Sequence, residues 1–311
     1  MILCAGEALI DMLPRETAAG ENAFAPHAGG AVFNTSIALG RLGVPVQFFS
    51  GISSDLFGDV LRTQLAASSV DSGPAAISDR PTTLAFVTLT DGHASYAFYD
   101  ENTAGRMLSQ DDLPDVTPQT LFVGGISLAV EPCAEAYEAL VARHAKDAVV
   151  MMDPNVRPSF IADEAAFRAR MTRMLGQCDI VKLSDEDLAW FMPDDSTDDA
   201  AKRLVAGGVK LLCITQGSQG ITAYTPNHEV FVPAEKAGVH FSETMLFTVF
   251  QPETFFQLPE LRMSRRNKCY PIQLYEKRIF QFLPNICPID HVHKMSFPVP
   301  GIYHEILQPF K

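Results

Sequence analysis

From its first residues the chain alternates short apolar runs with segments whose apolar positions recur at helical spacing. This is the pattern of successive βα units and a largely parallel sheet. "ILCAG" is an unbroken apolar run, as expected of a strand buried on both faces. "AVFNTSIALGRLG" predicts a helix with Gly43 as its left-handed stop, "VQFFSG" a second strand, and "DLFGDVLRTQLAAS" a helix that Asp55 caps. The rhythm then breaks. In "LAFVTLTDGHASYAFYD" two alternating segments flank Asp91-Gly92, a dipeptide suited to the positive φ angles of a hairpin turn, which predicts an antiparallel flap on the sheet. Beyond it, strands are expected at "LFVGG", "AVVMM", "DIVKL" and "KLLCIT", separated by helices over about 131–146, 163–176 and 185–206. "ITAY" and "EVFVP" close the regular pattern, and there is no internal repeat.

After residue 240 neither period persists. Pro252, Pro259, Pro271, Pro284, Pro288, Pro298, Pro300 and Pro309 leave no room for a long helix. Composition changes at the same place: the first 240 residues hold 35 alanines and 19 of 20 glycines, and the last 71 hold no alanine and only Gly301. Nine of 21 phenylalanines fall in those last 71 residues. Net charge moves from −15 over residues 1–240 to +2 over 241–311. Such a change marks a boundary of origin or role, and a shifted reading frame or a gene junction would produce it. The expected organisation is therefore one domain over 1–240 and a divergent or out-of-frame tail over 241–311.

With 311 residues, 47% hydrophobic and 20% charged, the chain has the composition of a soluble globular protein with a large core. The overall charge of −13 argues against a nucleic-acid partner, and the one dense basic run, Arg262, Arg265, Arg266 and Lys268, reads as a solvated patch. Cys4, Cys133, Cys178, Cys213, Cys269 and Cys287 are scattered without a paired motif, which suits buried thiols in a reducing cytosol. The opening "MILCAGEALIDML" lacks a basic leader and meets Glu7 and Asp11 early, and no apolar run reaches membrane-spanning length. A cytoplasmic protein without a membrane partner is expected.

Candidate chemistry collects where the strands end. "AVVMM" runs into Asp153-Pro154-Asn155-Val156-Arg157, "DIVKL" into Lys182, Ser184 and Asp187, and "KLLCIT" into Thr215-Gln216-Gly217-Ser218-Gln219-Gly220. Ligands of open α/β sheets bind beyond such carboxyl ends. Capping and turn chemistry account for any one of these clusters taken alone, but three on one edge point to a site. Gly29-Gly30 opens the helix carrying Asn34, so unobstructed N–H groups and a short amide converge there, and Asp11 is placed to accept hydrogen bonds from hydroxyls. Neither GxxxxGK[ST] nor GxGxxG occurs, so spacing by itself establishes no nucleotide.

The segments "GEALIDM", "GGAVFNTSIALGRLG", "GISSDLFGD", "YAFYDENTAGRM", "DPNVRP", "VKLSDEDL" and "ITQGSQG" appear in the order seen in ribokinase-like (PfkB) carbohydrate kinases. Over about residues 1–240 the chain resembles that family, most nearly its bacterial fructokinases. The resemblance implies a ribokinase-like α/β three-layer sandwich with a small antiparallel β lid, its strands near 12–27 and 83–100, phosphorylating a sugar hydroxyl from Mg-ATP. It places Asp11, Gly29, Gly30 and Asn34 on the sugar, with Phe98 of the lid hairpin over it and Arg157 facing the transferring phosphate. Lys182, Ser184, Asp187, Thr215, Gly217 and Gly220 would hold nucleotide, with Asp187 acting indirectly on Mg. A homodimer through the lid fits the resemblance. The sequence leaves fructose, 2-keto-3-deoxygluconate, ribose and nucleosides open as substrates.

Three departures stand out. Val32 occupies a place where the family's signature carries Gly, Ala or Pro, and Ser184 and Asp187 replace Asn and Glu. The third removes chemistry: after a strand like "EVFVPAEKAGVH" such kinases carry T-x-G-A-G-D-T-F, whereas this chain reads "FSETMLFTVF" and has no GAGD anywhere. That turn offers N–H groups to developing phosphate charge, and its Asp takes the hydroxyl proton. Glu243, Glu253 and Asp290 lack flanking glycines, and the spacing of Cys269, Cys287, His291 and His293 fits no standard zinc site. No catalytic base is identifiable. Two functions are therefore carried forward: an impaired fructokinase-like kinase, and a catalytically silent sugar-binding or regulatory protein.

Overall fold

The computed structural model describes residues 1–90 and 93–234. The chain begins with β1 (Ile2–Gly6), leaves it for a hairpin of β2 (Leu9–Glu16) and β3 (Asn22–Gly29), and returns through α1 (Ala31–Arg41) to β4 (Val46–Phe49) and β5 (Gly51–Ser53). There follow α2 (Leu56–Ala67), β6 (Val70–Asp71), β7 (Ala76–Ser78), β8 (Leu84–Thr90) and β9 (His93–Tyr99). The second half alternates regularly: β10 (Thr120–Gly124), α3 (Cys133–His144), β11 (Val149–Asp153), α4 (Glu164–Leu175) and β12 (Ile180–Ser184). It ends with α5 (Asp185–Phe191), α6 (Thr197–Ala206), β13 (Leu211–Thr215), β14 (Gly220–Tyr224) and β15 (Glu229–Pro233).

Nine strands make one sheet in the order β15-β14-β13-β12-β11-β10-β1-β4-β6, parallel from β6 through β13, with β14 and β15 antiparallel at one edge. Its central strands are apolar throughout because both faces are covered. Leu3 and Ala5 of β1, Leu121 and Val123 of β10, and Val150 and Met152 of β11 face Tyr137 and Leu140 of α3 and Phe167 and Met171 of α4. The alternate residues Cys4, Phe48 and Phe122 face Val32 and Phe33 of α1 and Leu61 and Leu65 of α2. This is the expected ribokinase-like layering, with a smaller sheet, β3-β2-β8-β9, standing apart from it. A parallel pair, β5 and β7, lies where the two sheets meet in sequence.

Local signals account for the element ends. Gly43 takes φ 79° after α1, and its N–H reaches the Gly40 carbonyl, the left-handed stop the sequence predicts. Asp55 caps α2 by accepting from the N–H groups of Phe57 and Gly58. The helix expected over 185–206 is two helices: α5 stops before Pro193, and Ser196 caps α6 anew by accepting from Asp199 N–H. Apolar spacing continues on both sides of Pro193, which hides the break, but proline removes the N–H and clashes with the preceding turn. The expected turn at Asp91-Gly92 lies outside the described residues. Cys4, Cys133, Cys178 and Cys213 are buried free thiols, and burial pushes Cys178 and Cys213 up to about 12. Among the described residues no helix is long and apolar enough to cross a membrane.

Gly58 sets how closely α2 sits on the sheet: a Cβ there would lie 1.8 Å from the Ser53 carbonyl oxygen. Gly176, at the end of α4, takes φ −64° and would bring its Cβ no nearer than 3.6 Å to any neighbour. Gly58→Ala is expected to destabilise the chain by about 1–3 kcal/mol, and Gly176→Ala to leave it unchanged or about 0.4–1 kcal/mol more stable. Urea unfolding of the two variants checks the pair.

Candidate functional site

Between β1 and β10 the strand order reverses, since the chain builds outward to β4 and β6 on one side and then crosses to β10 on the other. Such a switch point opens a crevice at the carboxyl ends of the strands. Glu7 stands there, directly after β1. It is 9% exposed, and its Oε1 accepts the N–H of Ala31, first residue of α1, at 2.7 Å. Its Oε2 receives the Ser127 hydroxyl at 3.4 Å. Glycines make the space: a Cβ on Gly125 would lie 2.0 Å from Oε2, and one on Gly30 would lie 2.7 Å from the Glu7 carbonyl oxygen. Gly30 also holds φ 111°, a conformation that side chains disfavour. Burial pushes the Glu7 carboxyl up, against hydrogen bonds from its own backbone, Ala31 and Ser127 and the charge of Arg157.

The same turn brings the expected sugar residues together. Asp11 of β2 lies across from His27 of β3, and its Oδ2 occupies the space over Gly29, where a Cβ would approach to 2.1 Å. Asn34 sits one helical turn beyond, its N–H on the Gly30 carbonyl at 2.9 Å. In the small sheet Asp11 pairs with Ala85 of β8, and Ala85 with Phe98 of β9, so Asp11 and Phe98 share one row on one face. Burial alone pushes the Asp11 carboxyl up, to about 7. Val32, the departure from the family signature, is fully buried beneath this turn and fits because Gly6 has no Cβ, which would lie 2.5 Å from Val32 Cγ2.

The turn after β11 carries Arg157. Its guanidinium donates to the carbonyl of Val156 at 3.1 Å. Asp187 holds this turn in place: Oδ1 accepts from Val156 N–H at 2.9 Å while Oδ2 accepts from Ser184 N–H at 3.1 Å. Ser184 returns the bond by accepting from Asp187 N–H, so the pair forms a capping box on α5. Two residues of the expected nucleotide set are thus structural ties as well. Lys182, also of the expected nucleotide set, has a partner within the fold: its ammonium donates to Asp153 Oδ2 at 2.9 Å, and both side chains are 3% exposed. Burial pushes the Asp153 carboxyl up despite Lys182, and a buried carboxylate is costly without such a cation.

Thr215 pairs with Ser184 in register at the ends of β13 and β12. The following turn runs through Gly217 at φ 53°, where an added Cβ would meet nothing within 4 Å, to Gly220 at φ 138°, where it would lie 2.2 Å from the Val232 carbonyl oxygen. Gly217 therefore leaves open space, and Gly220 lets β15 approach. Two residues escaped the sequence reading. Glu7 showed only as an acid inside an apolar opening. Phe160, three residues beyond Arg157, sets its ring edge-on to Phe98 at 4.5 Å and 72°, and so joins the lid to the Arg157 turn. Among the described residues no group of three His, Cys, Asp or Glu could hold a metal ion. Glu243, Glu253, Asp290, Cys269, Cys287, His291 and His293 lie outside the described residues.

A model of the family described as "pfkB family carbohydrate kinase" matches residues 1–239. A protein named "Fructokinase" from Rhizobium leguminosarum bv. trifolii is 51% identical over 257 residues, covering 82% of this chain and 77% of its own length. Among solved structures, a fructokinase with bound ATP from Xylella fastidiosa superposes with a TM-score of 0.69 at 30% identity, over 75% of this chain and 77% of that one. A fructokinase from Vibrio cholerae O395, in fructose, ADP and calcium ion bound form, gives 0.68 at 26% identity, over 75% and 76%.

The raised Asp11 carboxyl has a consequence for stability. Its folded-state value near 7 lies above the ordinary 3.8, so between those pH values the folded chain holds a proton that the unfolded chain releases. Stability from this group is greatest below about pH 4 and falls as pH rises to about 7, then stays level. Asp11→Asn removes the effect. The stability of the variant relative to the parent should therefore rise by on the order of 1–4 kcal/mol from pH 4 to pH 8, read by urea unfolding at each pH.

Proposed function

Because the chain belongs to the pfkB family of carbohydrate kinases, we propose that residues 1–240 bind fructose and ATP at one cleft, as a fructokinase does, and that phosphoryl transfer by this chain is impaired. One observation carries the reading: Asp11 lies over the Gly29-Gly30 turn at the start of α1, in one row with Phe98 of the lid, and Phe160 ties that row to the Arg157 turn. An ionised Asp11 accepts two sugar hydroxyls while Asn34 and the α1 N–H groups add donors. Fructose is favoured among sugars by the fructokinase relatives. The nucleotide's phosphates extend toward Ser184, Thr215 and the open space at Gly217, and the Arg157 guanidinium meets the phosphate that moves.

Magnesium fits this arrangement as a companion of ATP rather than as a resident ion. Both Asp187 oxygens already accept backbone N–H groups, so Asp187 acts on the metal indirectly, by holding Val156 and Arg157. When bound, Mg neutralises charge on the phosphate oxygens, which supply most of its ligands. Dimerisation through the lid belongs to the same proposal. It is supported by Phe24 and Tyr99, 43% and 62% exposed, which flank Phe86 at 5.0 and 5.4 Å on the face away from Asp11.

Impairment follows from the chain's want of a GAGD run. A general base contributes typically about 10²–10⁴-fold and one oxyanion-type donor about 10²–10³-fold, and the two need not multiply. The second reading, a silent sugar-binding or regulatory protein, is the limit in which transfer is absent. Calorimetry with fructose, with and without an ATP analogue, is expected to show binding, and a coupled ADP-release assay little or no turnover. Robust fructose phosphorylation by purified chain free of host kinases would overturn the impairment. Absence of fructose binding, or wild-type affinity in Asp11→Ala, would overturn the sugar site.

Arg157→Lys separates the two ligands. A lysine keeps the charge and loses the planar fork, so ATP-analogue affinity should fall about 10-fold or more while fructose affinity holds. Equal analogue affinity in the variant would remove Arg157 from the phosphate site.

A further inference from the structure

The β8-β9 hairpin of the lid meets the rest of the molecule through two short legs, Arg80–Thr83 before β8 and Asp100–Ala104 after β9. The legs are laced to each other. The Thr83 hydroxyl donates to Thr103 Oγ1 at 2.8 Å, and Ala104 N–H donates to the Pro81 carbonyl at 3.0 Å. The Arg80 guanidinium donates to the Asn102 side-chain oxygen, and Arg106 pairs with Asp100 at 3.0 Å. One group ties this lacing to a rigid element. Asp55 Oδ1 accepts Phe57 N–H at 3.0 Å and Gly58 N–H at 2.8 Å, capping α2, and also accepts the Thr82 hydroxyl at 2.7 Å. Its Oδ2 accepts Thr82 N–H at 2.9 Å.

The helix end that carries Asp55 is itself fixed. Gly58 admits the Ser53 carbonyl against the first turn of α2, and Arg62 donates to the same carbonyl at 2.7 Å. On the other side of β5, Gly51 abuts the Ala104 carbonyl, where a Cβ would lie 2.0 Å away. From Thr82 the path to the sugar residues is short: the next residue, Thr83, accepts Ile10 N–H at 3.0 Å, and Ile10 precedes Asp11. Strand β8 then lies between β2 with Asp11 and β9 with Phe98.

We infer that Asp55 is a positioning residue for the sugar site: its carboxylate, anchored on α2, sets the place of Thr82 and through β8 the placement of Asp11 and Phe98. The inference rests on the sugar-site reading above. The side chain serves two functions that one substitution separates. In Asp55→Asn the remaining oxygen still caps α2 and accepts the Thr82 hydroxyl, but the amide nitrogen turns donors toward the Thr82 N–H, which is also a donor, so the tie to the lid is weakened by one opposed contact while the cap is kept.

The test measures fructose affinity by calorimetry and amide hydrogen exchange across the folded chain. Asp55→Asn is expected to weaken fructose about tenfold and to speed exchange in β8 and β9 about tenfold or more, with α3 amides and the thermal midpoint little changed. Thr82→Val removes only the hydroxyl bond and should give a smaller shift of both readouts. Combining it with Asp55→Asn removes both bonds to Thr82 and should shift both readouts further than either change alone. Wild-type affinity and wild-type lid exchange in Asp55→Asn would overturn the inference. If Asp55→Asn fails to fold, Thr82→Val decides on the same two readouts. If the parent chain binds no fructose, the sugar-site reading fails by itself, and lid exchange decides for Asp55: acceleration confined to β8 and β9 upholds the tie, and none refutes it.

Discussion

The Glu7 carboxylate ties together three stretches of chain at the point where β1, β10 and α1 meet. It accepts Ala31 N–H, from 24 residues away, and the Ser127 hydroxyl, from 120 residues away, at the place where the parallel sheet changes direction. A helix begins with N–H groups that have no partner in their own helix, and a carboxylate at that end meets both the unpaired donor and the positive end of the dipole. Removing such an anion from water is costly unless donors surround it, and here the donors come with glycines that let backbone close in. Gly30 and Gly125 cannot carry side chains without displacing Glu7. The consequence reaches the cleft: the Gly29-Gly30 turn is fixed from beneath, so Asp11 above it has a defined floor.

Much of this was legible in the sequence, and for a physical reason. Strand and helix periods are local, so the central β10–β13 strands and the helices between them could be placed, and polar residues at strand ends mark one edge because parallel strands all end there. Asp55 and Gly43 were readable as cap and stop because capping depends on a few consecutive residues. What escaped depends on distant meetings. Glu7 is one acid in an apolar run until Ala31 and Ser127 arrive beside it, and Phe160 is an ordinary aromatic until Phe98 folds over it. The partner of Lys182, Asp153, lies 29 residues earlier and is equally invisible to local pattern. The small sheet was harder than the large one, since "NAFAPHAG" has few large apolar residues with which to announce a strand.

The charges divide by depth. Glu7, Asp153 and Asp187 are buried and engaged with N–H groups, a hydroxyl or Lys182, so each helps to hold backbone in place. Asp11 is different: burial alone raises it, which suits a group whose donors come from a ligand. Arg157, bonded to the carbonyls of its own turn, carries positive charge at a strand end in a domain of net negative charge. On the proposed reading, an anionic co-substrate approaching so acidic a surface would depend on that local cation to offset the wider field.

On the proposed reading, binding and chemistry are separable because they reside on different parts of the chain. The row proposed for the sugar is built on β2, β3, α1 and the lid, and the turn proposed for phosphate follows β11 with its Asp187 tie, all within residues 1–234. A kinase adds to these a base for the hydroxyl proton and donors for charge that appears only in the transition state. Groups of that second kind contribute little to ground-state affinity, so their loss leaves binding largely intact while the barrier rises. Among the described residues, Asp11 is placed by the Gly29 turn and Arg157 by the Asp187 tie. A site so supported would present the two proposed ligands to each other whether or not the reaction between them is assisted.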